Sequence, residues 1–295
     1  MNWKNVLIVS ALTCLPMSLM AQANILNAKK PQEIGVRTEE QKAVDNDAPL
    51  EYGYVDDRDI LWSKTLWETI DLDERVNFPL YYPTDTMDIG HDRRSLYHVL
   101  IKNIKNGKLE VYADSYFTEK RQFSDLSASL QKTDTLDYGY EQINAGETVS
   151  EEFITRRNIT AAEIEEYHIK GMWYFDKRQG ELKYRLLGIA PVAPDVNFID
   201  DDQPDMVELF WVWYPDAREI LHEAKVFNQQ NSAQPISFDM LLNARRFNAI
   251  IYKEDNVHGD RQVKDYIADN ALFQLLEAKR IKEVIRDREQ DMWAY

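Results

Sequence analysis

The chain has one cysteine, five histidines and ten glycines in 295 residues, and each scarcity closes off a kind of chemistry. Cys14 stands alone, so no disulfide can form within the chain. With so little glycine there is no phosphate-cradling loop, no G-x-S-x-G elbow and no dinucleotide fingerprint. His91, His98, His168, His222 and His258 are scattered. The adjacent pair His222-Glu223 would point about 100° apart on a helix, so no metal-ligand spacing emerges. Beyond residue 23 no apolar run approaches the roughly 20 residues that span a bilayer. Positive charge is also in deficit: 35 Lys and Arg against 51 Asp and Glu leave a net charge of −16, which repels phosphate backbones and anionic headgroups. Nucleic acid and direct membrane insertion are therefore not expected, and no cofactor is implied.

Abundant carboxylates do not fill the gap. Among so many acids some pair falls at any catalytic distance, so glycoside-type chemistry can be neither assigned nor dismissed from spacing. Asp200 to Asp205 offers the hard oxygens calcium prefers but lacks the spacing and glycine of an EF-hand loop, and reads as solvated.

What is present begins with a leader. Lys4 precedes an apolar run from Val6 to Leu15, and the small residues of Ala21-Gln22-Ala23 follow, which together read as a secretory signal cut after Ala23 or Ala21. Removing Lys4, the one charged residue of the segment, takes the net charge from −16 to −17. Residues 24–57 are polar and without apolar period, a flexible tether with an end-to-end distance on the order of 30 Å. Residues 58–295 carry the apolar material for a folded body, as one unit or two intimate halves.

Within that body, Leu61, Trp62, Leu66, Trp67 and Ile70 fall at helical spacing and predict a helix over 58–74. Ser95 caps a helix with Leu96, Val99, Leu100 and Ile104 on one stripe, ended by Gly107, and residues 108–112 alternate as a strand. Residues 113–150 read as a long loop with short helical pieces, and Thr160 to Glu163 as a capping box. Residues 172–176 and 181–190 flank a four-residue link and predict a hairpin. Met206 to Trp213 alternates as a further strand, Asp216 opens a helix to about Val226, Ser237 caps a second short helix, and residues 249–253 read as a strand. From Ala268 to about Gln290, Leu272, Leu275, Leu276, Ile281, Val284 and Ile285 form an incomplete stripe among many charges. The fold class is thus α+β: a modest, mostly antiparallel sheet flanked by helices, with a long charged C-terminal helix.

Several segments together resemble one family. They are WSKTLWETIDLDERVNFPLYYP at 62–83, SLYHVL at 95–100, YHIKGMWYFDKRQGELKYRLLGIAPV at 167–192, LFWVWYPDAREIL at 209–221, SFDMLLNARRFNAIIYKEDNVHGDR at 237–261 and IKEVIRDREQDMW at 281–293. In this order they resemble the GldN proteins, called PorN in some species, across about residues 58–293. The resemblance implies a periplasmic component of the type IX secretion and gliding machinery of Bacteroidetes. It further implies a ring built with an outer-membrane lipoprotein of the GldK (PorK) kind, and contact with the periplasmic part of the GldL–GldM (PorM-like) motor. The chain departs from the family at Gly171-Met172, where an acidic pair is expected before the tryptophan.

A ring-forming, non-enzymatic binding protein would use aromatic and arginine anchors. Trp62, Trp67, Trp211, Trp213, Arg245, Arg246 and Trp293 are the candidates for that partner interface. The alternatives are a periplasmic hydrolase acting on envelope polymers, which needs a pocket of converging carboxylates, and a ligand-binding module built around Trp211 and Trp213, which needs an apolar cleft.

Overall fold

The structure, a computed structural model, describes residues 30, 44, 47–85, 87, 93–146, 148, 150–198, 204–228, 231, 235–268 and 270–293. The cleavage positions Ala21 and Ala23, most of the tether and most of the Asp200–Asp205 loop lie outside the described residues. The body takes in residues 49–295.

Its centre is an antiparallel sheet of order β12-β1-β6-β7-β8, with β9 also paired to β7. These strands are β1 (Ile60–Asp71), β6 (Glu166–Asp176), β7 (Glu181–Pro194), β8 (Met206–Glu208), β9 (Val212–Trp213) and β12 (Ile250–Glu254). Two-residue strands β2 (Val111–Tyr112) and β3 (Lys120–Arg121) pair with each other. So do β4 (Gln131–Thr135) with β5 (Ile154–Asn158), and β10 (Lys225–Val226) with β11 (Ile236–Ser237). The helices are α1 (Phe78–Tyr81), α2 (Leu96–Lys105), α3 (Phe123–Leu130), α4 (Asp137–Asn144), α5 (Tyr214–Glu223), α6 (Phe238–Asn243), α7 (Val263–Tyr266) and α8 (Ala271–Trp293). The fold is α+β, as the sequence predicts.

Local chemistry explains most of the elements. Ser95 Oγ accepts from the His98 N–H and Ser237 Oγ from the Met240 N–H, so both hydroxyls start helices α2 and α6. The hairpin β6–β7 turns through Lys177 to Gly180, with Gly180 at φ +65°, a region glycine enters without steric cost.

One segment differs in kind from its sequence reading. Residues 60–71 form a strand, not a helix. Lys64 and Glu68 occupy strand positions that alternate with the apolar Trp62, Leu66 and Ile70, and these two charges mask the period of two. Both are tolerated inside because both are paired: Lys64 Nζ lies 3.2 Å from Glu254, and Glu68 meets Arg245.

The expected strand over 206–213 is likewise two short strands around a break. Leu209, Phe210, Trp211 and Val212 are buried consecutively, which simple alternation does not permit. The Thr160 box exists, its N–H donating 2.6 Å to Glu163, but it opens a single 3-10 turn.

The two faces of the sheet are covered differently. Leu66, Glu68 and Ile70 share one face of β1. At the Ile70 end, α2, α5 and α6 supply a core with Leu100, Leu221 and Phe238 among its members. At the Leu66 end, α8 packs Ala278, Ile281 and Ile285 on Leu66 and Ile251. The opposite face carries a smaller aromatic core of Trp67, Tyr112, Ala190 and Trp211.

Candidate interaction surfaces

Between the two cores of the first face sits a charged pair. Arg245 donates Nη1 and Nη2 to the two carboxylate oxygens of Glu68, 2.9 Å each, a bidentate fork. The guanidinium also lies 4.1 Å from the Tyr184 ring centre, and Arg245 is held at φ +49°, a left-handed backbone that long side chains rarely adopt. Tyr184 covers Gly171 so closely that a Cβ added there would meet the tyrosine hydroxyl at 2.0 Å and its ring carbons at 2.3 and 2.5 Å. A side chain at 171 and Tyr184 in this position cannot share the space. Gly171→Ala is expected to cost about 1–3 kcal/mol by overpacking, measured by urea unfolding, and Tyr184→Ala in the same chain should recover part of that cost.

On the opposite face, Lys170 and Lys253 place Nζ 4.9 and 4.3 Å from the Trp67 ring centre. Each cation also ties down a loop: Lys170 donates to the Ser115 carbonyl and Lys253 to the Tyr116 hydroxyl, both at 2.9 Å. Burial, and then the neighbouring Lys253, lower the Lys170 pKa. Beside them Glu208 bridges two groups, taking the Trp211 indole N–H at 2.6 Å and the His168 Nδ1 at 2.6 Å.

Burial alone would lower the His168 pKa, but hydrogen bonds and charge from Glu166 and Glu208 outweigh it and the pKa is raised above its ordinary 6.5. Glu208 moves oppositely: burial would raise it, and His168 and Trp211 bring it down. A raised histidine stabilises the fold fully below the unfolded value and loses that contribution as pH climbs through the folded value. The stability advantage of wild type over His168→Gln is therefore expected to shrink as pH rises from about 6.5, checked by denaturation at a series of pH values.

The sequence candidates scatter across these settings. Trp67 and Trp211 are 1% and 0% exposed and belong to the chain's own core. Arg245 is taken by Glu68. Trp62 and Trp213 are half-buried, packed against the α8 core and the aromatic core respectively, and Arg246 is exposed. The side chain of Trp293 lies outside the described residues. The structure does not bring the other six into one surface.

What it does expose is the first half of α8. Ala278, Ile281 and Ile285 face the sheet, whereas Leu272, Phe273 and Leu276, projected around the helix, fall on the far side. These three are 64%, 56% and 50% exposed. A groove of about 470 Å³ runs beside them between Tyr266, Ile267, Phe273, Leu276 and Arg280. A second, of about 330 Å³, lies between Ile250 at the sheet edge and Val263, Ala271 and Leu275. The sequence shows these residues as an incomplete stripe. It cannot show that the helix buries one stripe and presents another. Among the described residues no group of three or more histidine, cysteine or acidic side chains is arranged to hold a metal, and no helix is long and apolar enough to cross a membrane.

Fold and surface together define an α+β protein whose C-terminal helix buries one apolar stripe and, in its first turns, presents another that stays exposed among the described residues. The chain belongs to the family of gliding motility associated proteins GldN, whose sequence profile matches residues 55–294. It is thereby a component of the gliding and type IX secretion machinery. No curated protein matches the chain.

Proposed function

We propose that the chain is a non-enzymatic, structural subunit of that machinery, working in the periplasm after its leader is removed. In this reading many copies form a ring with a GldK/PorK-like outer-membrane lipoprotein, and the ring contacts a GldM/PorM-like component of the motor. The association with the outer membrane is indirect, through the lipoprotein.

The observation that carries the reading is the outward apolar face of α8. Three large apolar side chains, Leu272, Phe273 and Leu276, clustered on the first turns of one helix are a surface that water penalises and a partner would cover. The remaining strong chemistry is turned inward: Glu68, Arg245, Glu208 and His168 are matched to each other. The net charge of −16 agrees with a protein partner rather than nucleic acid.

The test is isolation of tagged protein from gently solubilised native envelopes, followed by sizing and identification of what accompanies it. Very large particles containing the lipoprotein are expected. A lone species of the 34.7 kDa chain less its leader, under conditions that keep other envelope assemblies intact, would refute the proposal.

A further inference from the structure

The segment just before the sheet is attached in an unusual way. Its carbonyls, from Leu50 to Tyr54, are held by arginines projecting from three separate places in the body. Arg218 of α5 donates to the Leu50 carbonyl, Arg185 of β7 to that of Gly53 at 2.9 Å, and Arg178 of the hairpin turn to that of Tyr54 at 2.8 Å. One side chain anchors the segment. The Tyr52 ring lies between Arg218 and Arg185, 4.0 and 4.8 Å from its centre, and its hydroxyl donates 2.6 Å to Asn243. Leu50 and Tyr54 themselves are 86% and 79% exposed, so little apolar area is committed.

These are the contacts of a bound peptide. Backbone carbonyls, one aromatic ring and charge do the binding: residues 47–57 read DAPLEYGYVDD, four acids and no base, against three arginines. The segment is not packed flush either, because a cavity of about 260 Å³ lies between Glu51–Val55 and the wall formed by Tyr174, Lys183 and Arg185. Nor does the trough need its occupant. Arg218 keeps its pairing to Asp239 at 2.9 Å, and Arg178 keeps Asp176 and Asp59 at 3.1 Å. Residues 55–59 separate the last trough contact from the start of the sheet at Ile60; 57–59 form a 3-10 turn with Asp59 buried, which leaves Val55 and the extended Asp56 as the hinge.

We infer that residues 49–55 are a detachable strap and that the trough lined by Arg178, Arg185, Arg218 and Asn243 accepts the same strap from a second copy of the chain. A neighbour's strap makes every contact that the chain's own strap makes, so exchange has no intrinsic enthalpic penalty beyond opening the hinge. Passed from each copy to the next, it is a head-to-tail contact, the kind that closes rings. The inference rests on the reading of the chain as a many-copy subunit. Its test does not: cross-linking reports strap exchange between purified chains, whereas particle size in envelopes reports the ring.

In a Cys14→Ser chain, Gly53→Cys and Lys183→Cys place thiols on opposite walls of the cavity, and Gly53 has open space where a Cβ would go. Two differently tagged single variants are mixed at high concentration and treated with a short thiol-to-thiol cross-linker. Dimers joining Gly53→Cys to Lys183→Cys are expected in several-fold excess over like-with-like pairs. They should disappear when the Gly53→Cys chain also carries Tyr52→Ala, or when a peptide of residues 47–57 is added in excess. A doubly substituted chain that closes on itself, while the mixed single variants stay monomeric, would overturn exchange. Failure of the double variant to close would overturn the strap itself.

Discussion

Arg245→Ala is expected to destabilise the protein by about 3–5 kcal/mol. The Glu68 side chain is 2% exposed, and it would be left with Tyr184, at 3.5 Å, as its one remaining recorded side-chain donor. Chemical denaturation of the purified chain reads the loss directly. The companion variant decides the cause. If the penalty comes from an uncompensated buried carboxylate, then replacing both partners, Glu68→Leu with Arg245→Met, should recover most of the stability, since apolar residues of similar volume often match a buried ion pair. If the double variant is as unstable as Arg245→Ala, packing against Tyr184 and Phe247, not charge, is what Arg245 supplies.

Trp211→Ala is expected to cost a comparable 3–5 kcal/mol, the range for removing a large buried aromatic. The indole is wholly enclosed, and Phe117 stands edge-on to it at 6.2 Å between ring centres. Trp211→Phe separates the two contributions, keeping most of the volume while removing the N–H that Glu208 accepts. About 1–3 kcal/mol is expected for that change, because the partly buried carboxylate loses one of its donors and keeps His168 and the Tyr252 hydroxyl. Thermal unfolding of the two variants should rank them in that order. Equal losses in the two variants, both of which lack the indole N–H, would mean that the hydrogen bond, and not the packing, dominates at Trp211.

These two residues also show why the sequence gives up the fold more readily than the site. Local signals survive folding: hydroxyl caps at Ser95 and Ser237, the four-residue hairpin link, and the stripe of α2 each depend on neighbours a few residues away. Arg245 and Trp211 depend on partners that the chain brings from elsewhere. Arg245 meets a glutamate 177 residues earlier, and Trp211 packs in one aromatic core with Trp67 and Tyr112 from far upstream, although the carboxylate it donates to is only three residues away. Composition singles out tryptophan and arginine, but it does not say whether the group each one meets belongs to another protein or to the same chain.

The β1 segment fails for a related reason. Its inward Lys64 and Glu68 break the apolar alternation, and only the tertiary partners Glu254 and Arg245 make them acceptable there. Conversely, Tyr52 sits in a polar stretch whose sequence reads as tether, and its binding groups, the three arginines, lie 126 to 166 residues downstream.

The outward face of α8 is the surface proposed to dock, and the most direct measurement compares wild type with a Phe273→Asp, Leu276→Asp variant. Both chains would be tagged, expressed in their native envelope and sized after gentle solubilisation. The two positions are 56% and 50% exposed and the changes lie away from Ala278, Ile281 and Ile285, so the variant should fold normally by circular dichroism. Wild type is predicted to run in very large particles with its lipoprotein partner, and the folded variant as a small species. A folded variant that enters those particles as fully as wild type would contradict the assignment of α8 as the docking surface.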